Sequence, residues 1–218
     1  VRLRPDVSEE EAFRLARAMT LKCAMAGLPF GGGKSVIFGD DKKIDAKQKE
    51  AMVRAFGAAL KNLAPSEYVT APDMNMPEEA MRWIADANGN PKCVTGKPKD
   101  MGGLPHELGS TGFGVFHATK VALKHLDMDL KNVTFAVEGF GNVGEFAAKF
   151  MTEAGAKLVA TSDSKGVIYN KDGLDYEKVF AAKKEKRTVT AYEGGEIMES
   201  NKILDIECDV LITAAVKD

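Results

Sequence analysis

Three glycines precede Lys34 in Gly31-Gly32-Gly33-Lys34, where no side chain shields the amine and a ligand can reach it. A lysine so placed is a candidate for acid–base work, the alternative being a loop lysine beside a flexible turn. Lys22 falls on the stripe Ala12, Leu15, Met19, Lys22 and Ala26. An ammonium on an apolar helix face is costly unless an anion meets it or its stem carries the charge out to water. Asp73, after Ala71-Pro72, would ordinarily cap a helix or close an Asx turn. Here Asn75, with Glu78 three residues on, supplies a cap of its own and leaves the Asp73 carboxylate for other work. Two amines and one carboxylate from separate segments suit a site that binds a carboxylate substrate and moves protons. The run GLPFGGGKS is not a Walker phosphate loop, because Gly27 stands one residue too far from Gly33-Lys34 and a helix rather than a strand precedes it.

A second constellation is Gly139-Phe140-Gly141-Asn142-Val143-Gly144, a G-x-G-x-x-G run directly after a strand pattern and at the mouth of a helix. The first glycine permits the turn, the second lets a pyrophosphate approach the backbone, and the third lets helix and strand pack closely. Helix N–H groups then face the phosphates. Asp163, 19 residues beyond Gly144, is placed to accept the ribose hydroxyls of NAD. Lys165, two residues later, could instead pair with the 2′-phosphate of NADP. The bland alternative for both is an exposed turn, and the choice between NAD and NADP stays open.

The elements that must carry these residues follow from periodicity. A capping box at Ser8 and Glu11 starts a helix that runs to Gly27, Ser35 to Phe38 reads as a strand, and Lys47 to Leu63 as an amphipathic helix. Tyr68 to Thr70 reads as a short strand, and Asn75 opens a helix with Pro77 in its first turn and Trp83 within it. A Gly-, Pro- and Lys-rich loop spans Asn88 to Gly109, and Ser110 caps the next helix. Residues from Asn132 alternate strand, turn, helix and strand, which implies a parallel, doubly wound α/β sheet. Residues 1–108 are therefore expected to form a substrate and assembly domain, and 109–218 an incomplete Rossmann-type domain.

Composition narrows the function classes. A net charge of −2 with both signs mixed along the chain offers no basic field for nucleic acid or an anionic membrane. Cys23, Cys93 and Cys208 lack C-x-x-C spacing and pair with none of the three histidines in a zinc pattern, so no metal site and a reducing cytoplasm are expected. No apolar run reaches bilayer length. The chain begins at Val1 and stops just after an apolar run, which reads as a fragment of a longer polypeptide.

The segments MTLKCAMAGLPFGGGKSVI, APDMNM, VTGKP with GGLPHELGSTGFGV, VEGFGNVG, SDSKGVIYN and CDVLITAA together resemble the Glu/Leu/Phe/Val dehydrogenase family, in the family's order and over nearly the whole chain. The resemblance implies NAD- or NADP-dependent oxidative deamination of an L-amino acid to a 2-oxo acid and ammonium. In its pattern Lys22 holds the substrate α-carboxylate, Lys34 activates water, Asp73 shuttles protons at nitrogen, and Thr95 lines the substrate site. Thr111 and Ala214 fall at the nicotinamide end, and the backbone of Gly139, Phe140, Gly141, Asn142, Val143 and Gly144 holds the pyrophosphate. The style of APDMNM and VTGKP favours L-glutamate and 2-oxoglutarate over leucine, valine or phenylalanine. The family's Lys-Gly-Gly ahead of Val1, and a later serine, which discriminate glutamate, fall outside the chain. Phe113 and Thr213 depart from residues frequent in the family, which leaves the nicotinamide pocket open in detail. A homo-oligomer, in particular a hexamer assembled through the first domain, and an active site in a closing cleft complete the implication. A non-catalytic, cofactor-binding relative is the alternative of another class.

Overall fold

The computed structural model describes residues 1–104 and 108–215, in two compact units, Val1–Pro105 and His106–Asp218. Pro105, His106 and Glu107, within the long expected loop, lie outside the described residues. In the first unit β1 (Arg2–Arg4) pairs in parallel with β2 (Val36–Phe38), Leu3 opposite Ile37. Alternation decides the roles in so short a strand: Leu3 is fully buried, and Arg2 and Arg4 leave from the other face. Helix α1 (Glu9–Met25) joins the two strands. Ser8 Oγ accepts from Glu11 N at 3.1 Å, as an N-cap should, but the Glu11 carboxylate turns to Arg2 instead of closing the expected capping box. No residue of α1 is buried, so the face expected to desolvate Lys22 is open and Lys22 itself is exposed.

Helix α2 (Ala46–Ala59) starts on a complete box between Asp45 and Gln48. It packs on α3 (Glu78–Asn88) so closely that a Cβ on Gly57 would lie 2.7 Å from the Ile84 carbonyl oxygen. Around that contact Leu3, Val53, Met76, Met81, Ile84 and Val94 form the core. The α3 start differs from expectation. Asn75 adopts a left-handed φ of 58° and its Nδ2 donates to Leu3 O at 2.9 Å, which places Pro77 at the N-cap. The strand expected over Tyr68–Thr70 reduces to a bridge between Thr70 and Val94, and the described part of the loop beyond Asn88 includes 3₁₀ turns at Pro91–Cys93 and Lys99–Met101.

The second unit opens with α4 (Ser110–His125), where Gly109, with φ 64°, and not Ser110 takes the N-cap. It continues through β3 (Thr134–Glu138), α5 (Asn142–Glu153), β4 (Lys157–Asp163), β5 (Gly166–Tyr169), α6 (Tyr176–Lys186), β6 (Glu196–Met198) and β7 (Val210–Thr213). The sheet order is β6-β5-β4-β3-β7. Strands β4, β3 and β7 run parallel, as the alternating pattern requires, whereas at one edge β5 pairs antiparallel with β4 and β6 antiparallel with β5. A two-residue turn at Ser164-Lys165, with Asp163 opposite Gly166, folds β5 straight back on β4 and leaves no room for a crossover helix. Phe135 and Val137 face a core with Ala147 and Met151 of α5. Ala136 and Ala160 face the other side, covered by Ile203 from the 3₁₀ segment Ser200–Asp205. Among the described residues no helix is long and apolar enough to cross a membrane, and no cluster of His, Cys, Asp or Glu could hold a metal.

Candidate active site

Lys34 and Asp73, 39 positions apart in sequence, form an ion pair, with their side chains only 14% and 15% exposed. The glycines ahead of Lys34 explain its place. Gly32 N donates to Thr20 Oγ1 of α1 at 3.0 Å, and a Cβ there would lie 1.9 Å from Ala16 O. A Cβ on Gly33 would meet the Tyr68 ring at 2.6 Å, and the hydroxyl of that ring accepts from Ser35 Oγ at 3.0 Å. Two of the three glycines thus serve packing, and Gly31 alone borders open space.

Asp73 is held from several sides. Its Oδ1 accepts from Met74 N at 2.7 Å, and Arg2 approaches both oxygens at 3.4 Å. Burial works against the charged carboxylate, but Lys34, the Met74 N–H and Arg2 outweigh it and hold its pKa below the usual carboxylate value. Thr95 lies on the adjoining segment: its N and Oγ1 donate to Thr70 O at 2.8 and 3.4 Å, and a Cβ on Gly96 would meet Pro72 Cδ at 2.4 Å. The VTGK and APD segments are therefore pressed together, with the Thr95 side chain at the surface. Lys22, two residues past Thr20 in the last turn of α1, is exposed. Arg2 belongs to no motif of the sequence, and strand alternation in Arg2-Leu3-Arg4 is the one signal that separates it from the core.

In the second unit the glycine turn behaves as its spacing demands. Gly139 has φ 86°, and a Cβ on Gly144 would lie 1.9 Å from Gly139 O. Gly141, by contrast, has nothing within 4 Å of a built Cβ, and no side chain caps the N-terminus of α5. That combination of open space and helix N–H groups fits a pyrophosphate. Gly139 N and Phe140 N donate to Ser162 Oγ and O at 3.2 and 2.8 Å, which fixes the turn to β4. The Phe140 ring is buried in the core, so only its backbone can serve a ligand. Asn142 is exposed, Val143 half-buried, Thr111 exposed in the first turn of α4, and Ala214 N donates to Glu138 O at 2.8 Å. An open cavity of about 420 Å³ beside α5 is lined by Asn142, Glu145, Phe146, Phe180, Lys183 and Lys184. Burial raises the Glu145 pKa there, and Lys149 only partly offsets the shift.

Asp163 closes β4 at the turn into β5. Its side chain is 6% exposed, and both oxygens are already engaged. Oδ1 accepts from Lys165 N and Thr188 Oγ1 at 2.9 and 3.2 Å, and Oδ2 from Lys183 Nζ and Val189 N at 2.7 and 2.8 Å. Four donors thus meet this one carboxylate within the chain. The Lys165 side chain is exposed in the turn that Asp163 organises.

Residues 1–89 match the family model described as Glu/Leu/Phe/Val dehydrogenase, dimerisation domain, and residues 102–218 the one described as Glutamate/Leucine/Phenylalanine/Valine dehydrogenase. Glutamate dehydrogenases of Aeropyrum pernix and Thermotoga maritima are 36% and 39% identical over all of this chain, which covers 54% of each. The chain thus spans about half the length of the curated relatives it matches. A solved hetero-hexameric glutamate dehydrogenase of Thermus thermophilus, in its Leu-bound form, is similar with a TM-score of 0.85 and 30% identity, over 98% of this chain and 52% of that one.

Proposed function

The chain belongs to the Glutamate/Leucine/Phenylalanine/Valine dehydrogenase family, and from that premise we propose that it carries reacting groups and a cofactor turn for the reversible oxidative deamination of L-glutamate to 2-oxoglutarate and ammonium. The observation that carries the reading is the Lys34–Asp73 ion pair, two groups suited to proton transfer and held together away from bulk water. Bound NAD or NADP supplies the acceptor for the hydride that leaves the substrate Cα. Its pyrophosphate would lie along Gly139–Gly144 and the first turn of α5, its nicotinamide end toward Thr111 and Ala214, and Lys165 at the ribose end. Asp163 is read as the organiser of that turn and not as a ribose ligand.

On the substrate side, Lys22 holds the α-carboxylate and Thr95 lines the site. Asp73 takes a proton from the amino nitrogen as the C–N bond gains double-bond character. Lys34 takes a proton from the water that adds to the resulting imine, and Asp73 returns one to the nitrogen as ammonium leaves. The first unit is the substrate and assembly domain, the second the cofactor domain. Exposed Phe13, Met25, Phe30 and Phe38 support assembly of copies through the first unit, with a homo-hexamer in the cytoplasm as the working form.

The deciding experiment measures NADH and NADPH formation by the full-length protein with L-glutamate against leucine, valine and phenylalanine. Glutamate is expected to give the highest kcat/KM. Preference for an apolar amino acid would move the assignment within the family, and no turnover with any of them would remove the enzyme reading.

A further inference from the structure

Arg2 occupies a position that packing of the core does not require. Its backbone N donates to Ser35 O at 3.0 Å, one residue after Lys34, and the next residue's N–H donates to Met74 O at 3.1 Å, one residue after Asp73. Strand β1 therefore runs between the two proposed reacting groups and carries Arg2 with it. The guanidinium spans the gap: Nη2 and Nε lie 3.4 Å from Oδ1 and Oδ2 of Asp73, and Nη1 donates to Glu11 Oε1 at 2.5 Å. The side chain is 17% exposed, and Nε is buried without a well-directed acceptor. Glu11 forgoes the return arm of the α1 capping box to hold the far end of Arg2.

We propose that Arg2, anchored by Glu11, is a positioning residue that fixes the Asp73 carboxylate for proton transfer while Lys34 changes its protonation state. This rests on the reaction proposed above. A lysine that takes a proton from water must begin the step neutral, and in that state it gives Asp73 no cationic partner. A guanidinium does not lose its proton in a protein. Arg2 therefore keeps a cation beside the carboxyl group and holds it oriented through the part of the cycle in which Lys34 cannot. The charged groups that face Asp73 are Lys34 and Arg2, with Glu11 behind Arg2.

The test is the pH profile of kcat/KM for Arg2→Gln, Arg2→Lys and Glu11→Gln in the full-length enzyme, with dinucleotide affinity measured beside it. Arg2→Gln should lower kcat by roughly 10- to 100-fold and move the acid limb to higher pH, because Asp73 then ionises with one cation fewer. Arg2→Lys should hold the limb near its original pH while kcat stays low, since charge returns without the two-pronged geometry. Glu11→Gln should move kcat in the same direction by less, and it keeps the proposal testable if Arg2→Gln does not fold. Dinucleotide Kd should stay constant throughout. An acid limb and kcat unchanged in Arg2→Gln, or a limb unchanged while only the active fraction falls, overturns the proposal. If instead Asp73→Asn retains the wild-type acid limb, the assignment of Asp73 fails, an outcome distinct from failure of Arg2.

Discussion

Asp73 is the side chain on which the proposed chemistry turns, since it meets Lys34, Arg2 and a backbone N–H at once. Lys34→Ala and Asp73→Asn are each expected to lower kcat by about 10²- to 10⁴-fold, the range of a lost general acid or base, with dinucleotide Kd unchanged in a fluorescence titration. Near-wild-type turnover in either variant removes that residue from the mechanism. Asp163 makes a different prediction. Although burial opposes its charge, Lys183 and the Lys165 and Val189 N–H groups depress its pKa in the folded state. The folded chain then binds fewer protons than the unfolded chain, so the stability Asp163 contributes is complete above the unfolded value of 3.8 and is lost as pH falls through the lower folded value. Asp163→Asn should lower Tm at pH 7 by roughly 5 °C, and the gap to wild type should narrow below about pH 4. A gap constant from pH 7 to pH 3 would contradict the ionic account.

The glycine turn before α5 separates packing from binding within one motif. Gly144→Ala must push against Gly139 O and should cost stability and cofactor binding together. Gly141→Ala meets open space, so the fold should survive while a methyl group enters the path proposed for the pyrophosphate. An unchanged Tm with dinucleotide Kd weakened about tenfold or more is the expected pair of results, and unchanged affinity would place the phosphates elsewhere. The same separation was legible in advance only for the second motif, whose spacing has one geometric meaning. For Gly31-Gly32-Gly33 the sequence suggested access to Lys34, whereas Gly32 and Gly33 are needed because α1 and Tyr68 approach the backbone too closely for a side chain.

Across the whole molecule, the two units differ in what they leave uncovered. Helix α1 has no buried residue, and Met25, at 91% exposure, and Phe38 on β2 stand in solvent beside a well-filled core. Contiguous surface of that kind marks a contact with other protein. Phe38→Glu combined with Met25→Glu is expected to shift the full-length protein toward smaller species in sedimentation velocity, and an unchanged assembly would locate the interface on another face.

Helices α1 to α5, strands β2 to β4, the glycine turn, the segments bearing Lys34 and Asp73, and the family they resemble were determined by the sequence, because period, punctuation and motif spacing are local properties of a chain. Which groups meet was decided by the tertiary structure. The folding of β1 between Ser35 and Met74 brought Arg2 to Asp73 and drew Glu11 away from its own helix cap, and α1 keeps no buried residue on the face that carries Lys22. The hairpin after Asp163 set β5 antiparallel and supplied, with α6 and Thr188, the donors that fill that carboxylate. Such outcomes depend on contacts between residues tens of positions apart, where burial and competition for hydrogen bonds override local preference.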